Sequence, residues 1–262
     1  MPRETTPLYI QIQEYLTEKI ESGELLPGDK IPSERELSEQ LGVSRMTVRQ
    51  ALTSLVLEGR LKRIQGAGTF VAEPKIEHEL NLLISFSESA FRKGIKVSSK
   101  LLELEKIPAN KSLARKLGLS IAQQVYRMIR VRFGNNMPVL LERSYFPHHR
   151  CPGLEKFDLE KLSVYRILME EYGISFARMR QALEPVAANE FEAEVLQVSV
   201  GSPLMLVERL TFDAEDVPVE YAKDIYRGDR SRFISEMAIG EQHTIVKAGS
   251  PMMSILERQH FP

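Results

Sequence analysis

The N-terminal fold is decided by residues 32–52, PSERELSEQLGVSRMTVRQAL. Ser33 followed by Glu36 predicts a capping box at the start of a helix, because each side chain can bond the backbone N–H of the other residue. Gly42 ends that helix, and Ser44 is placed to cap a second one. Two short helices joined by a tight turn are typical of a helix-turn-helix.

The flanking segments extend this unit to a winged helix over residues 1–71. Apolar residues at four-residue spacing predict a helix before the run: Leu8, Ile12, Leu16 and Ile20. After the run, residues 61–71 predict a β-hairpin whose tip contains Gly66 and Gly68. A three-helix domain that binds another protein is the alternative to a DNA-binding winged helix.

The second of the two short helices begins with side chains suited to DNA bases: Arg45, Thr47, Arg49 and Gln50. Arginine can bond guanine, and glutamine adenine, through two hydrogen bonds each. Residues 44–75 hold six basic and two acidic side chains, whereas residues 1–43 hold four and nine. A local excess of positive charge in a chain of net charge −1 is typical of a surface that contacts phosphates. A solvated basic surface is the alternative.

Composition places the chain among globular proteins of one or two domains. It has 262 residues, of which 43% are hydrophobic and 27% charged, and no apolar run long enough for a membrane span. A single cysteine excludes an internal disulfide framework, and we expect no signal peptide because no apolar segment follows the first four residues. We therefore expect a cytoplasmic protein with no membrane partner.

The C-terminal two thirds of the chain contain an internal duplication. Arg130 recurs as Arg209, 79 residues later, and the leucine-rich segments before them repeat at the same offset. Each copy continues through a turn into a Pro-Val pair and then a glutamate, Glu142 or Glu220. We expect two similar hairpins in one antiparallel sheet, related by a pseudo-twofold axis.

Strand parity gives candidates for a ligand site in this sheet. Residues two apart in a strand share a face, so Arg130 and Arg132 form a fork that can hold a phosphate or a carboxylate. Glu220 and Tyr226 share a face if no bulge intervenes, and Glu142 lies among aliphatic residues. Exposed residues paired across the sheet are the alternative.

The N-terminal blocks resemble the winged-helix domain of GntR-type bacterial transcription regulators. The blocks are residues 32–37, 44–52 and 66–71, in that order. The resemblance implies main DNA contacts from Arg35, Arg45, Thr47 and Arg49, and contacts at the wing tip. The complete set of predicted DNA-binding residues is Ser33, Arg35, Ser44, Arg45, Thr47, Arg49, Gln50, Gln65, Gly66 and Gly68.

Residues 80–238 resemble the effector domain of the HutC subfamily of these regulators. The resemblance rests on residues 83–88, 130–132, 163–165, 219–222 and 226–230. It implies an α+β chain: a winged helix joined to a chorismate-lyase-like (UTRA) antiparallel sheet with helices. The similarity is greatest to amino-sugar regulators that sense glucosamine 6-phosphate or N-acetylglucosamine 6-phosphate. The residues implied to surround the phosphate are Ser85, Phe86, Ser87, Arg130, Arg132, Ser163 and Tyr165. Those implied to meet the sugar are Glu142, Glu220 and Tyr226.

The chain is thus predicted to contain a winged helix-turn-helix (1–71), a linker (72–81), an effector-binding and dimerisation domain (82–240) and an unassigned extension (241–262). We expect a homodimeric, sequence-specific repressor that binds palindromic operator DNA and responds to a phosphorylated sugar. The alternative is a regulator of the same type that senses another small anion, such as another sugar phosphate, a phosphonate or a carboxylate.

A lyase-like enzyme is a further alternative, because the effector domain resembles a lyase fold. His148, His149 and Cys151 are the candidates for a nucleophile or a metal ligand, and no second Cys/His pair stands at zinc-like spacing. The sequence contains neither a Gly-x-Ser-x-Gly elbow nor a P-loop. We therefore expect no catalytic residues, no metal site and no cofactor.

Overall fold

The computed structural model describes residues 6–80 and 94–236. Its N-terminal part is the predicted winged helix, with three helices followed by an antiparallel hairpin. These elements are α1 (Leu8–Glu21), α2 (Glu34–Leu41), α3 (Arg45–Leu57), β1 (Leu61–Ile64) and β2 (Gly68–Val71). Buried side chains from all three helices and the hairpin form one core: Ile12, Leu16, Leu37, Val48, Leu52, Leu55, Leu61 and Val71.

Both predicted helix starts have the expected local contacts. Ser33 Oγ accepts a hydrogen bond from the Glu36 N–H at 3.3 Å, and Glu36 Oε2 accepts one from the Ser33 N–H at 2.7 Å. Ser44 Oγ accepts from the Thr47 N–H at 3.1 Å. Gly42, at φ 67°, takes the left-handed conformation that ends α2 and starts the turn to α3.

The second domain is a six-stranded antiparallel sheet with helices on both faces. Its long strands are β4 (Val97–Pro108), β5 (Gln124–Gly134), β6 (Met137–Pro147), β7 (Phe176–Ala187), β8 (Pro203–Asp213) and β9 (Pro218–Arg227). Its helices are α4 (Lys111–Leu117), α5 (Val164–Glu170) and α6 (Glu190–Leu196), with 3₁₀ turns at His148–Arg150 and Leu154–Lys156. None of the helices within residues 6–80 and 94–236 is long and apolar enough to cross a bilayer.

The sheet consists of two copies of one β-α-β-β unit. The elements β4, α4 and β5 correspond to β7, α6 and β8, and every boundary is displaced by 79 residues. The strand order is β4-β5-β6-β9-β8-β7, so the last strands of the two units pair in the centre. This order confirms the predicted duplication and places its pseudo-twofold axis between β6 and β9.

The register corrects one detail of the predicted repeat. Arg130 lies opposite Glu142, whereas the equivalent Arg209 lies opposite Ala222. Glu220 instead lies opposite Thr211. The two glutamates therefore occupy different positions of the repeat, because the turn of the second hairpin is longer than that of the first.

The two faces of the sheet are covered differently. Helices α4 and α6 pack on one face, through side chains such as Leu117 and Leu196. The other face is covered by α5 and the segment before it, which pack on Tyr126 and Met128 of β5. Arg130 and Arg132 share the parity of Tyr126 and Met128, so their side chains project toward α5.

Part of the predicted linker is a strand. Strand β3 (Ile76–Glu79) pairs in parallel with strand β10 (Ser231–Ile234), which follows the last long strand of the sheet. Four residues of the predicted linker over 72–81 therefore form regular structure, which leaves no local signal because their partner strand is remote in sequence. The limits of the linker and of the extension at 241–262 stay predictions, and the extension lies outside the described residues.

The two domains touch where the turn after β9 meets the loop after α3. Gly59, at φ +72°, lies so close to this turn that a β-carbon would overlap the carbonyl oxygen of Asp229. Lys75 Nζ, in the linker, donates a hydrogen bond to the Gly228 carbonyl at 2.7 Å. The turn after β9 therefore contacts both the end of α3 and the linker.

Candidate functional site

The outer surface of α3 is the candidate DNA-binding face. Val48, Ala51 and Leu52 bury the inner side of the helix, which leaves Arg45, Arg49 and Gln50 exposed. Thr47 is half-buried and lines a shallow groove on this outer face together with residues further along α3. The structure therefore places these four predicted residues on one accessible helix surface.

A carboxylate that the sequence analysis passed over connects this face to the wing. Glu34 of α2 accepts hydrogen bonds from Arg49 Nη2 at 2.8 Å and from Arg49 Nε at 3.0 Å. Arg63 of β1 lies 3.6 Å from the same carboxylate. The bonds from Arg49 hold the pKa of Glu34 below its usual value. Arg49 is thus fixed in orientation before any DNA is bound.

The remaining predicted DNA contacts lie around the helix starts and the wing tip. Ser33 and Ser44 are exposed, and their hydroxyls cap α2 and α3 as described above. Arg35 is exposed on α2, and Gln65 and Gly66 are exposed at the tip of the wing. Their contact with DNA stays a prediction.

Gly68 has a structural reason for being glycine. Its φ is +126°, and a β-carbon there would lie 2.8 Å from Lys30 Cε. The wing strand therefore packs closely on the segment before α2, which fixes the base of the hairpin.

The candidate effector site is a cavity on the sheet face that α5 covers. Six of the predicted effector residues line it: Arg130, Arg132, Glu142, Ser163, Tyr165 and Tyr226. Three further predicted residues, Ser85, Phe86 and Ser87, lie outside the described residues. The cavity has a volume of about 70 Å³ and shares Arg132, Ser163 and Tyr165 with a wider groove beside β4. A ligand larger than this volume would therefore extend from the cavity into the groove.

In the first repeat, the predicted arginine fork closes on a glutamate. Glu142 Oε2 lies 2.8 Å from Arg130 Nη2 and 3.5 Å from Arg132 Nη1. Burial alone would raise the pKa of Glu142, but the two arginines hold it below its usual value. Burial, and then the charge of Arg130, lowers the pKa of Arg132 to about 10. This pair of buried cations can bind one more anion beside Glu142.

In the second repeat, a single arginine serves two carboxylates. Arg209 Nη2 lies 2.9 Å from Asp224 Oδ2, and Arg209 Nε lies 3.3 Å from Glu220 Oε2. Glu220 is fully buried and also accepts hydrogen bonds from Tyr165, Thr211 and Ser144. Its carboxylate lies behind Tyr165 and outside the wall of the cavity. Glu220 is thus the one described residue of the predicted effector set that does not line the cavity, and its contact with the sugar stays a prediction.

Asp224 is a cavity residue that the sequence analysis missed. Its side chain is 1% exposed, and among the described residues its Oδ1 has no hydrogen-bond partner. Burial, helped by the charges of Glu142 and Glu220, raises the pKa of Asp224 to about 7 despite the bond to Arg209. Strand parity could have found it, because Asp224 lies two residues from Tyr226 on the same face of β9.

Strand β3 contributes a second set of unexpected wall residues. His78 and Glu79 line the cavity, although both fall in the predicted linker. The His78 ring lies 4.8 Å from the Tyr226 ring and 5.2 Å from the Phe233 ring. The segment that leads from the DNA-binding domain therefore forms part of the cavity wall.

The structure gives the surroundings of the candidates for a nucleophile or a metal ligand, Cys151, His148 and His149. Cys151 is buried, and burial raises the pKa of its thiol to about 12. His148 and His149 lie in a 3₁₀ turn after β6. Within residues 6–80 and 94–236, no three His, Cys, Asp or Glu side chains are placed to hold a metal ion.

Comparison with known proteins matches both domains. Residues 8–71 match the family described as bacterial regulatory proteins, gntR family, and residues 92–232 match the UTRA domain. The HTH-type transcriptional repressor NagR of Bacillus subtilis is 40% identical over 231 residues, which cover 88% of this chain and 95% of NagR. The HTH-type transcriptional repressor PhnF of Mycolicibacterium smegmatis is 36% identical over 211 residues, or 80% of this chain and 85% of PhnF.

A solved structure extends the match to three dimensions. The crystal structure of PhnF from Mycobacterium smegmatis superposes with a TM-score of 0.64 at 32% identity. The superposition covers 87% of this chain and 100% of that one, so it includes both domains.

Proposed function

Because this chain belongs to the GntR family of bacterial regulatory proteins and joins a DNA-binding winged helix to a UTRA domain, we propose that it is a homodimeric transcriptional repressor controlled by a phosphorylated amino sugar. Glucosamine 6-phosphate and N-acetylglucosamine 6-phosphate are the expected effectors. The observation that carries the proposal is the cavity, in which two buried arginines, the buried carboxylate of Asp224 and the half-buried carboxylate of Glu142 face one space.

The DNA-binding half of the proposal rests on the exposed face of α3. A recognition helix enters the major groove with its N-terminal residues toward the bases, which is where Arg45 and Arg49 lie. Two such heads in a dimer would read a palindromic operator with half-sites about one helical turn apart. Glu34 accepts a hydrogen bond from Arg49 on this face, so the guanidinium group of Arg49 is oriented before the protein meets DNA.

The effector half of the proposal rests on the chemistry of the cavity wall. A phosphate suits Arg132, Ser163 and Tyr165, because these three residues stand where the cavity opens into the groove. Arginine binds phosphate oxygens through charge-assisted hydrogen bonds. The carboxylates of Glu142 and Asp224 lie deeper and suit the donors of a sugar ring.

Two elements connect the cavity to the DNA-binding domain. Strand β9 carries Asp224 and Tyr226 in the cavity wall and then turns at Asp229 against Gly59. Strand β3 carries His78 in the same wall and follows directly from the wing. An effector that changes the position of either strand would change the orientation of the heads. Couplings between sites are typically about 1–3 kcal/mol, which corresponds to roughly 5–150-fold in affinity.

The proposal is tested by fluorescence anisotropy on a duplex selected from a random library by the full-length protein. The wild type should bind this duplex more tightly than a scrambled one, and adding glucosamine 6-phosphate should change the affinity by about fivefold or more. Arg45→Ala should lose the preference for the selected duplex. Arg180→Ala, an exposed arginine on β7, is the control and should behave as the wild type.

Two results would contradict the proposal separately. Unchanged discrimination in Arg45→Ala would overturn the assignment of α3 as the reading helix. Selective DNA binding that no phosphorylated amino sugar alters would leave a DNA-binding protein and overturn the effector class.

A further inference from the structure

Two carboxylates lie side by side in the centre of the sheet, across the pseudo-twofold axis. Leu141 pairs with Ile225, and Ser144 pairs with Ala222. This register places Glu142 of β6 next to Asp224 of β9. Both side chains point to the cavity face, and both line the cavity. A carboxylate from each repeat therefore meets the same small space.

The two carboxylates differ in how far the protein satisfies them. Glu142 has two arginines on one oxygen, at 2.8 and 3.5 Å. Asp224 has one arginine, at Oδ2, and its carboxylate accepts from the Arg143 N–H, while its buried Oδ1 has no hydrogen-bond partner among the described residues. A buried carboxylate oxygen without a donor is costly, and most such groups have a partner. The ligand is the donor that this geometry calls for.

We propose that Asp224 determines effector specificity by accepting a hydrogen bond from a protonated amine, so that the effector class is a phosphorylated amino sugar with a free ammonium group. The inference rests on the proposed function and narrows it. The phosphate occupies the arginine and hydroxyl groups at the mouth of the cavity, and the ammonium lies deeper between Asp224 and Glu142.

Glucosamine 6-phosphate, N-acetylglucosamine 6-phosphate and glucose 6-phosphate differ in the group that each would present to Asp224. An ammonium brings both a donor and a positive charge, and Asp224 is short of positive charge because it shares its one arginine, Arg209, with Glu220. An N-acetyl group keeps one N–H donor but removes the charge and adds bulk. A hydroxyl keeps a donor without the charge. Hydrogen bonds between two charged groups are stronger than those with a neutral partner.

The inference is tested by calorimetric titration of the full chain with glucosamine 6-phosphate, N-acetylglucosamine 6-phosphate and glucose 6-phosphate. The wild type should prefer glucosamine 6-phosphate over glucose 6-phosphate by about tenfold or more. In Asp224→Asn this preference should fall to within about threefold, because the affinity for glucosamine 6-phosphate falls more than that for glucose 6-phosphate. Asp216→Asn, an exposed carboxylate in the turn between β8 and β9, is the matched control and should keep the wild-type preference.

The outcomes distinguish this inference from the function on which it rests. Equal wild-type affinities for the three ligands, or a preference for the N-acetylated one, would overturn the inference and leave the proposed function standing. The same would follow if Asp224→Asn weakened all three ligands alike, since that is the result of a structural role. No binding of any of the three would overturn the proposed effector class itself. The wild-type preference needs no variant, so the test holds even if Asp224→Asn fails to fold.

Discussion

The two repeats of the sheet share a backbone frame but differ in the charges they carry into the cavity. The first repeat has Arg130 and Arg132 around the single carboxylate of Glu142. In the second repeat, the position of Arg132 is occupied by Thr211, and one arginine serves two carboxylates. The first repeat therefore places excess positive charge at the cavity, and the second repeat, counting the Glu220 carboxylate behind the wall, places excess negative charge there.

This difference shows what each part of the duplication contributes. Each β-α-β-β unit provides three strands, and the two units meet where β6 pairs with β9, so their inward-facing residues share one cavity. Changes at a few inward-facing positions then give the cavity two unlike ends. A ligand with an anion at one end and a cation at the other matches this arrangement, whereas a symmetric site would bind neither selectively.

The repeats also differ in their contact with the DNA-binding domain. Strand β9 of the second repeat leads into the turn at Asp229, which touches Gly59. Its counterpart β6 in the first repeat leads instead into the 3₁₀ turn at His148–Arg150. The half that carries Asp224 is thus the half that contacts the head directly.

The largest effect is expected from removing Arg209, the arginine that serves both Glu220 and Asp224 in the second repeat. Arg209→Met leaves Glu220 and Asp224 buried without a cation, and breaking a buried ion pair typically costs about 3–5 kcal/mol of folding free energy. Urea unfolding of the full chain measures this loss. Arg132→Met should lose less, because Glu142 keeps its contact with Arg130. The exposed Arg180→Met is the control, with a change expected within about 0.5 kcal/mol. Equal losses at 209 and 132 would contradict the difference between the repeats.

A smaller effect is expected at the contact between the second repeat and the head. Gly59→Ala forces a side chain into a left-handed conformation, which costs about 1–2 kcal/mol, and adds an overlap with Asp229. Gly23→Ala is a matched control, because Gly23 has a similar φ of +79° but open space around it. Both variants should lose stability by the backbone strain.

Only the Gly59 variant should change the communication between the domains. The factor by which glucosamine 6-phosphate alters DNA affinity should fall in Gly59→Ala and be retained in Gly23→Ala. Anisotropy titrations with and without the phosphosugar measure this factor. If the two variants behave alike, the turn at Asp229 plays no part in the coupling.

The smallest effect is a pH dependence that comes from Asp224. Its pKa is raised from 3.8 to about 7 in the folded protein, so the folded state holds this proton more tightly than the unfolded state. The stability contribution of Asp224 is therefore complete below about pH 4 and is lost as the pH rises through 7. Asp224→Asn cannot lose a proton, so its Tm minus that of the wild type should increase by a few degrees from pH 5 to pH 8. Asp216→Asn should show a constant difference, and a constant difference for Asp224→Asn as well would refute the raised pKa.

Much of this architecture could be predicted from local signals. Ser33, Glu36 and Ser44 mark helix starts by their own hydrogen bonds, and the offset between Arg130 and Arg209 reveals the repeat. These features depend on residues close in sequence or on a repeated pattern. The family resemblance then adds the expected roles of the fork and of the recognition helix.

The missed features depend on contacts between remote segments. Strand parity puts Asp224 on the face of Tyr226, but its place beside Glu142 depends on the pairing of β6 with β9, and hairpin patterns do not show which edges pair. Strand β3 could not be predicted from its own residues, because it forms by pairing with β10, which is remote in sequence. The resemblance implies a contact between Glu220 and the sugar, but the hydrogen bonds that hold Glu220 outside the cavity wall come from three other elements.

The central claim is that the cavity between the two repeats receives the effector and controls the DNA-binding domain. The most direct test titrates glucosamine 6-phosphate into the complex of the full chain with its selected duplex, followed by anisotropy, for the wild type, Arg132→Met and Arg180→Met. The account predicts that Arg132→Met binds DNA as the wild type does but no longer responds to the phosphosugar, while Arg180→Met responds normally. An undiminished response in Arg132→Met would contradict it.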